Sequence, residues 1–315
     1  MHEQQTPGWS GVQRTSGTLE VPRLTDAHRA LIDALRAAIQ GDVRDDDVHR
    51  VLYATDASIF ELIPIAVVMP RSGEDLQTIV RLCAEHRVPI TARSAGTSLS
   101  GQTVGPGLVV DTGRYMTRIL ELDVDNATVR VEPGVIRDDL NRYLKPHGLV
   151  FGPDTSTSNR CMIGGMIGNN SCGSNSIWYG TTRENLVSID AIFTDGARAE
   201  VGELSPERWQ ELAGEAHVLG RAVRALDEVV RHNADVIERS FPKATVKRRN
   251  TGYAIDDVAD SWLTDPASTR DPIVARLLGG SEGTRALTAA ATRRLHLGPG
   301  AAILVCVHFD PLDAA

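Results

Sequence analysis

Residues 64–111 constrain the fold more than any other stretch of the chain. Ile65–Met69 is a short apolar run closed by Pro64 and Pro70, the pattern of a buried strand. Ser72-Gly-Glu-Asp75 then opens a helix whose apolar face is Leu76, Ile79, Val80, Cys83 and Ala84. Val88–Ala92 reads as a second strand, Arg93–Gly101 as a loop of small residues and Leu108–Asp111 as a third strand. Strand, helix and strand at this spacing make a βαβ unit, and ligands of such folds favour the loops at strand ends.

The grammar changes on either side. Thr25-Asp26 caps a helix that carries Leu31, Ala34, Leu35, Ala38 and Ile39 on one face and stops at Gly41. Ile119–Asp123 and Ala127–Glu132 flank a turn and predict a hairpin, and a helix follows over Arg137–His147. Val187–Thr194 and Arg198–Val201 predict another hairpin around Asp195-Gly196. Ser205–Ala213 and Ala216–Phe241 read as helices, and Ile303–Phe309 as a last strand. In the second helix Val218, Ala222, Ala225, Val229 and Ile237 stand at core spacing, which assigns it to packing.

Composition removes several classes of function. With 33 Lys and Arg against 41 Asp and Glu, the net charge of −8 and the lack of a basic stripe exclude nucleic acid as a partner. The longest apolar runs are too short to span a bilayer, so no transmembrane segment is expected. Met1–Ser10 is polar and has no apolar h-region, which predicts a cytoplasmic protein. Cys83, Cys161, Cys172 and Cys306 form no C-x-x-C pair and have no His at metal spacing, so four reduced thiols are expected and no metal.

Two runs carry chemistry. Arg93-Ser-Ala-Gly-Thr-Ser-Leu-Ser-Gly101 offers successive backbone N–H groups without bulky side chains, and hydroxyls at Thr97, Ser98 and Ser100. Such groups converge on an anion, and a pyrophosphate is the natural occupant. It is neither a Walker A loop nor a Rossmann fingerprint. Gly152–Gly180 is long and dense in Gly, Ser, Thr and Asn; a loop of that length inside a compact domain is usually functional. Gly164, Gly165 and Gly168 permit close backbone approach, while Ser156, Ser158, Asn169 and Asn170 supply neutral polar groups that suit a large heterocycle.

Taken together with Val131-Glu-Pro-Gly-Val135 and Gly279-Gly-Ser-Glu-Gly-Thr284, these runs resemble the PCMH-type FAD-binding domain of the vanillyl-alcohol oxidase superfamily. Within it the chain is most similar to the FAD-linked D-2-hydroxy acid dehydrogenases of the D-lactate, glycolate and D-2-hydroxyglutarate type. Thr155–Gly173 and Arg248–Tyr253 resemble the members fused to an iron–sulfur domain, and the likeness covers about Tyr53 to His308. It implies an α+β fold of two α+β subdomains with FAD between them and the cap domain essentially absent. The implied organisation is an N-terminal arm and helix (1–52), an FAD-binding domain (53–300) and the start of a truncated cap (301–315). The domain divides into a first subdomain (53–115) and a second (116–300), with a helical insertion at about 203–278.

The resemblance also implies the cofactor site. Arg93, Ser94, Ala95, Gly96, Thr97, Ser98 and Gly101 would hold the pyrophosphate. Pro153, Asp154, Ser158, Gly164, Gly165 and Asn169, with Gly180, would follow the flavin and ribityl chain, and the strand around Ile189 would meet the adenine. Relatives that attach FAD covalently often use a His in the pyrophosphate loop; here Thr97 and no His stands there, so non-covalent FAD is implied. The implied reaction is oxidation of a small 2-hydroxy acid by hydride transfer to flavin N5. The implied protein partner is a separate cap or iron–sulfur subunit, or an electron-transfer protein. The alternative is a truncated, catalytically inactive FAD-binding module, or one subunit of a split flavoprotein dehydrogenase.

No catalytic base is evident. His147 and His308 qualify by residue type alone, Arg248-Arg249 reads as a solvated charge run, and Asp45-Asp-Asp47 and Asp256-Asp257 read as loop or cap residues. In the family the Gly-Ser-Glu-Gly-Thr segment leads into an apolar strand ending in Thr-Glu. Here Arg285–Ala291 puts Ala290 in place of that Glu, which predicts a weakened strand.

Overall fold

A computed structural model describes residues 21–243, 245–246, 249, 252–300, 303 and 305–307. The N-terminal arm lies largely outside the described residues. So do Arg248, His308 and most of the expected cap segment; Ile303, Val305, Cys306 and Val307 form no strand.

The first layer begins with α1 (Asp26–Ala38), closed at its start by the Thr25 hydroxyl, which accepts from the His28 N–H. Then come β1 (Asp42–Arg44), α2 (Asp47–Leu52), β2 (Ala66–Met69), α3 (Gly73–His86), β3 (Ile90–Arg93) and β4 (Leu108–Asp111). The sheet order is β1-β2-β4-β3, with β2 and β3 both parallel to β4 and β1 antiparallel to β2. The βαβ crossover of the sequence is present, but β4 is inserted between its two strands. All four residues of β2 and of β4 are buried, as a strand covered on both faces requires.

Packing runs across the expected boundary at residue 52. Leu31, Ile32 and Leu35 of α1 are buried with Leu76, Ile79 and Cys83 of α3 in one core. The buried Asp75 carboxylate accepts from the N–H groups of Gln40 and Arg71, both at 2.9 Å, and so pins the turn after α1 to the start of α3. α1 therefore shares its core with the first layer.

The second layer holds β5 (Ile119–Asp123), β6 (Thr128–Val131), α4 (Arg137–Leu144), a 3₁₀ turn (Lys145–His147) and β7 (Leu149–Val150). Within the glycine-rich stretch lie two short helices, α5 (Ile163–Gly168) and α6 (Ser176–Tyr179). β8 (Leu186–Ile192) and β9 (Arg198–Val201) form the second hairpin. A helical group follows: α7 (Pro206–Gly214), α8 (Val218–His232), α9 (Ala234–Ser240), α10 (Ile255–Ala259) and α11 (Val274–Leu278). The single helix expected over 216–241 breaks at Asn233, whose side-chain amide donates to the Val229 carbonyl and competes with the helix ladder.

β10 (Leu287–Arg294) and the two-residue β11 (His296–Leu297) complete the layer. The larger sheet is wholly antiparallel, in the order β5-β6-β10-β8-β9. The strand expected to be weakened is thus the central one, eight residues long, because β6 and β8 pair with it on either side. Its small side chains let neighbours close in: Ala289 and Ile192 reach across into the core of the first layer, joining the two subdomains. β10 also carries Arg293, which is fully buried. One Nη donates to the Thr182 carbonyl at 2.5 Å and the guanidinium lies 5.0 Å from the centre of the Phe151 ring, while Nε and the other Nη have no partner among the described residues.

Candidate functional site

Between the layers lies a cleft of about 980 Å³. Its walls are the loop after β3, the segment Thr155–Thr157, the glycine-rich α5 with Asn169 and Asn170, and the turn before β10. The size is that of a cofactor pocket.

The loop after β3 is shaped from below. The Arg93 guanidinium donates to the carbonyls of Thr55 (2.8 Å) and Thr103 (3.4 Å) and lies 5.1 Å from the Tyr53 ring. Burial lowers its pKa. Tyr53 donates to Asp111 at 2.6 Å, and burial together with that carboxylate pushes the phenol pKa up. Gly96 sits above this arginine with φ +64°, and a Cβ there would come within 2.5 Å of an Arg93 Nη. Glycine at 96 therefore answers both to the left-handed backbone and to the arginine beneath it. Arg93 lines the cleft, and one of its Nη atoms holds the loop in shape.

The opposite wall is α5. Gly164 donates its N–H to the Pro133 carbonyl at 2.7 Å, and a Cβ at 164 would strike Pro133 at 2.6 Å, so glycine lets the helix seat on the turn after β6. Gly165 faces the loop after β3: the nearest atom to a Cβ built there is Ser94 Cβ at 3.6 Å. Glu282 closes a third side. Its N–H donates to the Gly168 carbonyl at 2.8 Å, and its carboxylate accepts from Gln102 Nε2 at 3.3 Å, tying the turn before β10 to the end of the loop after β3.

Ten of the fifteen residues expected from the sequence line this cleft: Arg93, Ser94, Ala95, Gly96, Thr97, Ser98, Gly164, Gly165, Asn169 and Ile189. The other five stand behind its wall. Gly101, with φ +80°, packs against the Phe60 ring. The Pro153 carbonyl accepts from Arg137 Nε at 3.1 Å, and the Ser158 hydroxyl donates to Asp138 at 3.0 Å. Asp154 accepts from Ser174 and Asn175, bracing the stretch before α6, and Gly180 turns the chain there at φ +75°.

Gln102, Thr112, Pro133 and Glu282 line the cleft without having been singled out as site residues. Pro133 and Glu282 do fall inside two of the runs that carry the family resemblance.

The loose candidates resolve by placement. His147 is exposed on the 3₁₀ turn, away from the cleft, and no histidine is among the described residues that line it. Asp46 caps α2, Asp45 pairs with Arg36 and Asp47 with Arg50. Arg249 is not a solvated charge: it is half-buried, pairs with Asp256 and with Asp257 (3.2 Å), and its carbonyl accepts from the buried Arg183 at 2.9 Å. No group of His, Cys, Asp and Glu among the described residues is arranged to hold a metal, and no described helix is long and apolar enough to cross a membrane.

Residues 64–202, which span both walls of the cleft, match the family model described as "FAD binding domain". The chain carries an FAD-binding domain of the PCMH type. It is homologous to "D-2-hydroxyglutarate dehydrogenase" of Escherichia coli (strain K12), at 36% identity over 278 residues, or 87% of this chain and 26% of that protein. "Glycolate oxidase subunit GlcD" of Bacillus subtilis (strain 168) is 37% identical over 154 residues, or 48% of this chain and 33% of that one. The chain spans about a quarter of the length of the D-2-hydroxyglutarate dehydrogenases it matches.

Solved structures share the fold. An alkyldihydroxyacetonephosphate synthase superposes with a TM-score of 0.62 at 17% identity, covering 92% of this chain and 44% of that one. p-Cresol methylhydroxylase gives 0.59 at 15% identity, covering 88% and 45%. The residues that line the cleft fit the cofactor: Gly96, Gly164 and Gly165 leave stretches of backbone without side chains, and hydroxyls and amides rim the space.

Proposed function

We propose that this chain is the cofactor-holding part of a flavoprotein that oxidises a small D-2-hydroxy acid. The observation that carries the reading is the cleft between Ser94–Ser98 and Gly164–Asn169, inside a segment that matches an FAD-binding domain. Likeness over 87% of the chain to a D-2-hydroxyglutarate dehydrogenase supports the substrate class.

Bound FAD would supply a two-electron acceptor for hydride from the substrate carbon. The chain's part is binding and orientation. The backbone of Ser94–Ser98 would cradle the diphosphate, with Arg93 fixing the loop from beneath. Gly164 and Gly165 would let the backbone approach the flat ring, and Asn169 would fix its orientation by neutral hydrogen bonds. Ile189 would lie beside the far end of the cofactor. FAD would be held without a covalent bond, since Ser94–Gly101 contains no His or Cys.

A second reading is favoured by one observation: Asp56 and Glu282 are the acidic side chains among the described residues of the cleft wall, and each is engaged by a neighbour. On that reading this chain binds FAD, and the proton acceptor comes from a separate subunit or another part of a longer protein. Anaerobic addition of D-2-hydroxyglutarate or D-lactate to the FAD-loaded chain separates the two. Bleaching of the visible flavin bands supports oxidation by this chain. Bands that stay oxidised until a partner is added support the second reading, and failure to take up FAD overturns both.

A further inference from the structure

The charges of the cleft wall are few, and the acidic ones are engaged by neighbours. Among the described lining residues they are Asp56, Arg93, Arg160 and Glu282. Asp56 accepts from the Ser58 N–H (2.8 Å) and the Thr103 hydroxyl (3.1 Å), and Glu282 accepts from Gln102. Arg93 donates to two backbone carbonyls beneath its loop. Arg160 differs. It is exposed at the cleft and its one side-chain bond is to the neutral amide oxygen of Asn159, at 3.0 Å. It pairs with no carboxylate among the described residues.

Its placement is fixed even though its head is free. The Arg160 N–H donates to the Thr157 carbonyl at 2.9 Å, and the next residue, Cys161, donates to the same carbonyl at 2.7 Å. Cys161 is buried, with its thiol beside Thr155 Oγ1 and Met166. The turn Thr155–Arg160 is therefore anchored at its end, and it presents the exposed Ser156 together with the Arg160 guanidinium to the cleft. A guanidinium offers five N–H donors in a flat fork that matches the two oxygens of a carboxylate or phosphate.

We propose that Arg160 is the anion-anchoring residue of this cleft, taking an oxyanion of the bound ligands. The inference rests on the FAD reading above and deepens it. Two sources carry the required chemistry: the diphosphate of the cofactor and the carboxylate of the 2-hydroxy acid. Neutral dipoles of the loop after β3 solvate a diphosphate without cancelling its charge, and a carboxylate entering beside it adds another negative group. Arg160 is the exposed cation among the described cleft residues, whereas Arg93 is half-buried under its loop.

The test compares the wild-type chain with Arg160→Gln and Arg160→Lys. Because the side chain is exposed and held by one neutral contact, neither change should disturb folding, and ligand-free melting curves check this. FAD dissociation constants are measured at several sodium chloride concentrations. Oxalate is then titrated into the FAD-loaded chain and followed through the visible flavin spectrum. If the diphosphate is the partner, Arg160→Gln weakens FAD roughly tenfold and flattens its salt dependence, as loss of one charge-assisted contact predicts. If the carboxylate is the partner, FAD affinity holds and oxalate binding falls by a similar factor with a flatter salt dependence. In both cases Arg160→Lys keeps the salt dependence and recovers part of the affinity. Equal FAD and oxalate affinities and salt slopes in wild type and Arg160→Gln overturn the proposal. Failure of the wild-type chain to bind FAD instead removes the reading beneath it, and is seen before any variant is compared.

Discussion

Replacing Arg293 by methionine should stabilise the fold. The guanidinium is fully buried on β10 with no carboxylate paired to it among the described residues, and burial alone lowers its pKa to about 9. At 1.36 kcal/mol per pH unit, holding the charge there at neutral pH costs about 5 kcal/mol. The hydrogen-bond inventory reaches a similar figure: Nε and one Nη lack partners, at about 1–3 kcal/mol each. Methionine has comparable length and no polar hydrogen. Its introduction removes those costs but also removes the bond to the Thr182 carbonyl and the contact over Phe151, about 1–2 kcal/mol apiece. The expected net gain is about 1–3 kcal/mol, a rise in melting temperature of several degrees.

The pH dependence gives a second arm. The folded group loses its proton more readily than the unfolded one, so above about pH 9 the unfolded chain binds more protons and the wild type gains stability as pH rises. The advantage of Arg293→Met is therefore full at pH 7 and shrinks as pH climbs through about 9. Melting curves of both proteins at pH 7, 8 and 9.5 read this directly. An unchanged or lower melting temperature for the variant at pH 7, or a gain that does not depend on pH, would refute the reasoning and mean that the charge is compensated in place.

Other predictions concern the cleft and its supports. Gly96→Val and Gly164→Val should each weaken FAD at least tenfold, the first through its +64° φ and the underlying Arg93, the second through Pro133; normal flavin content in both would sink the assignment of the two walls. Acid precipitation of the FAD-loaded protein should leave the flavin in the supernatant, and a yellow pellet would show a covalent bond. His296, which bonds Asn185 at 2.6 Å, has its pKa lowered by burial and by Arg294. The unfolded chain thus protonates first, and stability should fall as pH drops below about 6.5; His296→Gln should flatten that slope, as chemical denaturation between pH 5 and 7 would reveal.

Much of this architecture is legible in the residues because local signals and tertiary demands agree. β4 begins and ends where its apolar run does, and α3 starts at the Ser72 cap. The glycine at 164, read as room for a ligand, lets α5 seat against Pro133. What is not legible depends on partners distant in sequence. The alanines of β10 have little intrinsic preference for a strand, and their place is set by pairing with β6 and β8. Arg93 sits in a loop that reads as an anion cradle, yet the space under Gly96 draws its side chain downward to Thr55. Asp154 and Ser158 carry polar atoms suited to a ligand but spend them on Asn175 and Asp138. Arg160 reads as one more polar residue of a loop until the acidic groups of the cleft wall are seen to be engaged by neighbours.

The position of β10 also sets the order in which this protein can be built. Before residue 287 emerges, the larger sheet exists only as two hairpins, β5–β6 and β8–β9, each a two-stranded ribbon that is marginal in water. Their inner edges, including the buried-to-be Val129 and Val131 of one and Ile189 and Ala191 of the other, have no strand to pair with until then. Contacts such as Val129 with Arg293 span more than half the chain, which makes closure of the sheet a slow, late event. During synthesis the nascent chain carries two open edges separated by a gap one strand wide, and the last strand to arrive fills it.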